Sequence, residues 1–168
     1  MGRTHRTYSR HGLKTKGVLF LLLLTAPAIW AGDAAPVKPG PKDKCPVCGM
    51  FVAKYPDWVA ALDFTDGTRY FFDGVKDMMK YRFNLARYAP GKTAADIRDV
   101  HVTDYYRLEL IDGRRAFYVV GSDVYGPMGK ELVPFEKEAE AREFMKDHKG
   151  NAVLRFDEID PGLVKSLD

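Results

Sequence analysis

Trp58-Val-Ala-Ala-Leu-Asp-Phe-Thr-Asp-Gly-Thr-Arg-Tyr-Phe-Phe-Asp-Gly-Val-Lys-Asp-Met-Met-Lys-Tyr-Arg-Phe83 is the stretch whose reading decides the fold. Trp58 to Phe64 alternates apolar and polar residues, Asp66-Gly67 supplies a tight turn, and Arg69 to Phe72 resumes strand-forming residues. That order predicts a β-hairpin. From Gly74 onward Val75, Met78, Met79 and Phe83 recur at helical spacing, so a helix follows the hairpin.

Toward the C-terminus the same order returns. After a polar loop at Ala89–Asp99, Val100–Leu110 reads as a strand, Asp112-Gly113 as a turn and Ala116–Val120 as a strand. A glycine-rich loop, Gly121–Lys130, and a short strand, Glu131–Phe135, come next. Glu136–Lys149 then predicts a helix with Ala139, Ala141, Phe144 and Met145 toward the core, ended by Gly150. Val153–Phe156 gives a last strand. A repeated hairpin-plus-helix predicts an α+β fold of two related ββαβ-type units sharing antiparallel sheet. The expected domain runs over 45–160, with halves at about 45–88 and 100–157 and a tail at 161–168.

Upstream, Arg3, Arg6, Arg10, Lys14 and Lys16 precede an apolar run, Val18–Leu24, and small-residue cleavage candidates near Ala26-Pro27-Ala28 and Ile29-Trp30-Ala31. This is the layout of a secretory signal peptide over 1–31. The run meets Pro27 after nine residues, short of the roughly 20 that a spanning helix needs. No arginine pair marks a twin-arginine route. No cysteine sits at the end of the apolar run, so a soluble periplasmic protein without a stable membrane anchor is expected. Residues 32–44, rich in proline and charge, read as an extended linker.

The export segment also accounts for the basic balance. The chain carries +3, but residues 1–31 hold five basic and no acidic residues, which leaves −2 for the rest. Nothing here argues for a nucleic-acid partner. Nucleophile elbows, phosphate-cradling loops and dinucleotide fingerprints are missing from the sequence, and no carboxylate pair stands out for acid–base work. No enzymatic activity is expected.

Both cysteines lie in one short segment, Cys45-Pro-Val-Cys48-Gly-Met50. A pair so close cannot staple distant elements. Two thiolates at this spacing can face one ion, Gly49 permits a tight turn, and Met50 can add a thioether. Thiolate and thioether donors select Cu(I) over hard cations. Structural zinc takes four ligands, and no second cysteine pair exists. The same residues also fit a local disulfide or a thiol–disulfide exchange site, although the latter normally sits in a βαβ context. Met128, between Gly126-Pro127 and Gly129, is a loop methionine and a candidate ligand, whereas Met78, Met79 and Met145 read as core. Asp123 and Tyr125 fit turn, docking or supporting roles. His101 is a weak third candidate, His148 a helix-end residue, and Trp58, Tyr105 and Tyr106 read as core or sheet-face residues.

Cys-Pro-Val-Cys-Gly-Met at 45–50, Val-Thr-Asp-Tyr-Tyr at 102–106 and Val-Val-Gly-Ser-Asp-Val-Tyr-Gly-Pro-Met-Gly at 119–129 resemble the NosL family. These are exported copper-binding accessory proteins associated with nitrous oxide reductase. The resemblance implies a two-unit ββαβ fold related to that of the organomercurial lyase MerB. It also implies Cu(I) binding and delivery toward the copper centres of that reductase or its maturation machinery in the periplasm. The implied ligands are Cys48, Met50 and Met128, with Cys45 as a further candidate. Many family members are lipoproteins, and many carry histidine where this chain has Lys130, which removes an imidazole donor there. Disulfide exchange and copper-stress binding are the alternative roles.

Overall fold

The computed structural model describes residues 1–3 and 38–168. Residues 4–37, with nearly all of the segment read as a signal peptide and the first part of the linker, lie outside the described residues. The described strands are β1 (Ala60–Phe64), β2 (Arg69–Phe72), β3 (Ile97–Thr103), β4 (Leu110–Asp112), β5 (Phe117–Gly126), β6 (Gly129–Phe135) and β7 (Ala152–Arg155). The helices are α1 (Val75–Phe83), α2 (Leu85–Tyr88), α3 (Glu138–Asp147) and α4 (Pro161–Ser166), with short 3-10 turns between them.

Two antiparallel sheets form, in the orders β2-β1-β3-β4 and β6-β5-β7. The repeat is therefore real in topology. In each half a hairpin is followed by a helix, and a third strand returns to the far side of the first: β1-β2-α1-β3 and β5-β6-α3-β7. The halves divide elsewhere than the turn signals at 100–120 predict. β3 completes the first ββαβ unit, and the chain doubles back into β4, which pairs with β3 at the edge of the same sheet, instead of continuing as one strand to Leu110.

Asp104 makes that reversal. Its fully buried carboxylate accepts from the backbone N–H groups of Tyr106, Arg107 and Glu136 and from the Arg107 guanidinium. An aspartate bonding its own backbone two and three residues on ends a strand. Leu108 takes φ +57 in the turn. The Asp112-Gly113 turn then carries the chain from the first sheet to the second. A side chain at Gly113 would meet Val100 Cγ1 at 2.6 Å, and the Tyr118 hydroxyl donates to the Gly113 carbonyl at 2.5 Å. Only glycine lets the backbone pass so close.

Gly121–Lys130, expected as a loop, is the distal part of the β5–β6 hairpin. The ladder shifts register between Val120 and Tyr125, with Gly121 at φ +77, and resumes at Tyr125↔Lys130 and Gly126↔Gly129. The bulge absorbs the glycine-rich composition. Pro127 and Met128 form the tip.

The main core joins both sheets through Leu62, Phe64, Phe72, Met78, Met79, Tyr81, Tyr118 and Leu132. A smaller cluster of Val119, Val133, Phe135, Ala141 and Phe144 lies under α3, with Trp58 and Tyr105 against it. Ala139 and Tyr106 are exposed, against expectation. α1 packs on β1 and β2, on β6 and on α4, so it is buried on most sides and takes even Lys76 and Asp77 inside. The expected tail is also structured. Asp160 caps α4 by accepting from Leu163 N–H at 2.7 Å, Pro161 opens the helix, and Val164 and Leu167 enter the core. Asp-Pro at a helix start is a start signal.

Candidate metal centre

The Cys-Pro-Val-Cys-Gly-Met segment folds as a pinched loop whose stem begins earlier than the cysteines. Val52 N–H donates to the Asp43 carbonyl at 3.0 Å, so the end of the linker is already part of the stem. Cys45 N–H donates to the Met50 carbonyl and Gly49 N–H to the Cys45 carbonyl, both at 2.9 Å. Gly49 sits at φ +80, a conformation an L side chain adopts only with strain. The closure brings both sulfurs to one side. Both cysteines are free thiols; Cys45 is 1% exposed, and Cys48 is partly exposed.

Backbone N–H groups of Val47 and Cys48 reach the Cys45 sulfur, and that of Met50 reaches Cys48. Such donors favour the thiolate. They are outweighed in the metal-free protein. Burial pushes the Cys48 thiol up to about 11, the Asp73 carboxylate adds to the effect, and burial pushes Cys45 higher still. The resting sulfurs are therefore protonated. They donate to carboxylates, Cys48 Sγ to Asp73 at 3.2 and 3.4 Å and Cys45 Sγ to Asp77 at 3.4 Å.

Asp73 and Asp77 come from the turn before α1 and from its first turn, and sequence reasoning missed both. Their i, i+4 spacing at a helix start, directly after a predicted strand, was the available signal. With Cys45 and Cys48 they form a group whose ligand atoms all lie within 4.8 Å of one another. His101 belongs elsewhere. It meets Asp63 at 3.3 Å on the first sheet, beside Arg69 and Asp99. His148 caps α3, stacks on Phe144 and meets Asp123.

The remaining candidate ligands occupy two places. Met50 is on the pinched loop itself and partly buried. Met128, 42% exposed at the tip of the β5–β6 hairpin, belongs to the other ββαβ unit. Its hairpin is tied to α1. The buried Lys76 ammonium donates to the Met128 carbonyl at 2.7 Å, and Glu131 in β6 accepts from Lys76 N–H at 2.5 Å. Lys76 adjoins Asp77, so the hairpin tip is held against the helix end that faces the cysteines. Beside the loop a cleft of 440 Å³ opens between Val47, Phe83, Tyr88, Arg87 and Lys165.

The sequence model of the NosL family matches residues 36–164. The chain belongs to the NosL family. A curated relative, the copper-binding lipoprotein NosL of Stutzerimonas stutzeri, is 30% identical over 131 residues, which cover 73% of this chain and 65% of that protein. The chain thus spans somewhat less than two thirds of that relative's length. The crystal structure of the copper chaperone NosL from Shewanella denitrificans matches with a TM-score of 0.64 at 23% identity, covering 74% of this chain and 95% of that one. That likeness supports the α+β, two-unit fold. The solution structure of apo-NosL from Achromobacter cycloclastes is 31% identical over 62% of this chain and 87% of its own, with a TM-score of 0.45.

Proposed function

We propose that this NosL-family protein is an exported carrier of Cu(I) that hands copper to nitrous oxide reductase or its maturation machinery in the periplasm. The observation that supports the reading most directly is the pinched loop, which points two free thiols to one side and carries Met50 alongside them. The copper named for the Stutzerimonas relative supports the choice of ion. Cys48 is the principal donor, because it is the more accessible thiol; Met50 and Met128 are the thioether donors, and Cys45 is a further thiolate.

Transfer proceeds by ligand exchange, without bond-making catalysis. Cu(I) prefers few, soft ligands. An incoming sulfur of the acceptor approaches over the open cleft beside Val47, bonds the ion, and displaces Cys48. The disulfide-exchange alternative is disfavoured by the same site. Such enzymes depress the pKa of their attacking cysteine, whereas burial and Asp73 raise both thiols here.

Competition against a Cu(I) chelator under reducing, anaerobic conditions tests the proposal. About one Cu(I) per chain is expected. Cys48→Ser removes tight binding; Met50→Leu and Met128→Leu weaken it with the fold intact, since they conserve volume. Met79→Leu, a change in the core, leaves affinity at the parental level. A Cys48→Ser protein that holds copper as the parent does refutes the reading.

A further inference from the structure

The surface around the cysteine loop is basic, on a chain that is not. Residues 32–168 sum to −2, yet no acidic residue occurs from Lys44 to Pro56. The Lys44 and Lys54 ammonium groups stand 4.8 and 5.6 Å from the centre of the Phe51 ring. That ring follows Met50 directly and is 38% exposed. The aspartates nearest the sulfurs, Asp73 and Asp77, are buried and offer a partner almost no surface.

The 440 Å³ cleft beside the loop continues the pattern. Val47, Phe83 and Tyr88 give it an apolar lining, and the exposed Arg87 and Lys165 give it positive charge. Lys80, also in the lining, is answered by Asp168. Arg87 and Lys165 have no carboxylate partner among the described residues, whereas Arg69, Arg98, Arg107 and Arg142 each bond one. Helix macrodipoles draw cations to last turns. They do not account for this set, because α2 and α4 are four and six residues long and Lys44 and Lys54 lie on no α-helix.

We infer that this face docks an acidic segment of the copper-accepting protein, with an apolar side chain in the cleft and carboxylates against Arg87 and Lys165. The inference rests on the copper-carrier reading for what is exchanged, and adds the chemistry of the partner. Exposed ion pairs add little to affinity. A charged cleft with apolar walls instead concentrates ligands of opposite sign and speeds their arrival. The acceptor is thus brought beside Cys48 before any bond to copper forms. An anionic membrane is drawn by exposed cations alone and has no use for a concave apolar lining.

The probes are three labelled peptides, each with a central leucine and methionine, flanked on both sides by aspartates, asparagines or lysines. Anisotropy with the reduced, metal-free protein reads docking, and stopped-flow mixing with the Cu(I)-loaded protein reads transfer. At low salt the aspartate peptide should bind at least about threefold tighter than the asparagine peptide and take Cu(I) at least about tenfold faster. Both advantages should shrink severalfold at about 0.5 M salt. Reversing both cleft charges, Arg87→Glu with Lys165→Glu, should abolish them and leave Cu(I) affinity against a chelator within about twofold of the parent. Arg142→Glu, on α3, should change neither, and circular dichroism confirms that each variant is folded. Aspartate and asparagine peptides that behave alike overturn the inference, as does a double variant that keeps the preference. So does a parent protein that shows no peptide preference but sediments with phosphatidylglycerol vesicles through Arg87 and Lys165, which makes the face a lipid contact. A parent that prefers the aspartate peptide but holds no Cu(I) refutes the copper reading and leaves the acidic docking face standing.

Discussion

Glu131 should make the stability of this protein fall as pH rises through neutrality. The residue lies in β6, fully buried, where one carboxyl oxygen accepts from Lys76 N–H at 2.5 Å and from Leu132 N–H at 2.9 Å. Burial pushes its carboxyl up to about 8, and Asp77 on α1 adds to the rise; the two backbone donors and the Lys76 charge oppose it without cancelling it. In the unfolded chain the group titrates near 4.3. Between those values the folded protein holds a proton that the unfolded chain has released. Stability is fully present below the unfolded value and is lost as pH climbs through the folded one, by about 1.4 kcal/mol per pH unit. From pH 5.5 to 7.5 the loss is on the order of 3 kcal/mol. Glu131→Gln mimics the protonated acid, keeps an acceptor for Lys76 and Leu132, and should flatten this slope. Urea unfolding of both proteins at half-unit pH steps measures it, and the difference between them cancels every other titrating group. If the two proteins lose stability in parallel over this range, Glu131 is ionised in the fold and the reasoning fails.

Two further outcomes follow from the site and the fold. Oxidising Cys45 and Cys48 to a disulfide leaves no thiolate, so the oxidised protein should lose Cu(I) in chelator competition and regain it on reduction; unchanged affinity would show that neither thiol is a ligand. Asp104→Ala strands three backbone donors and the Arg107 guanidinium, and should cost about 3 kcal/mol or more in urea unfolding, with a cost below about 1 kcal/mol contradicting its role in reversing the chain.

Periodicity carried most of the fold. β2 begins and ends where the alternation at Arg69–Phe72 placed it, and α1 and β7 lie within a residue or two of expectation. What stayed hidden depended on polar side chains acting at a distance. Asp104 ends β3 partly through Glu136, 32 residues away, and no window around 104 reveals that bond. The Gly121–Lys130 segment looked like a loop because its glycines, suited to a bulge, carry no strand propensity. At the metal centre the soft donors were legible, since cysteine and methionine announce themselves by type. Asp73 and Asp77 were not, because a buried aspartate and a solvated one are the same letter. Their meaning comes from a hairpin and a helix start that fold over the cysteine loop.

α1 reaches outward and is gripped from outside at the same place. Its Lys76 side chain holds the Met128 carbonyl, while Glu131 holds the Lys76 backbone. The two ββαβ units are alike in topology, yet they have become a lock and its key. Neither half is a portable module. A fragment ending after β3 would keep both cysteines and both aspartates, but its first helix would lose the partner that secures its opening turn. Grafting copper binding onto another scaffold therefore means transplanting the β5–β6 hairpin together with the cysteine loop, although the two are separated by some 70 residues of chain.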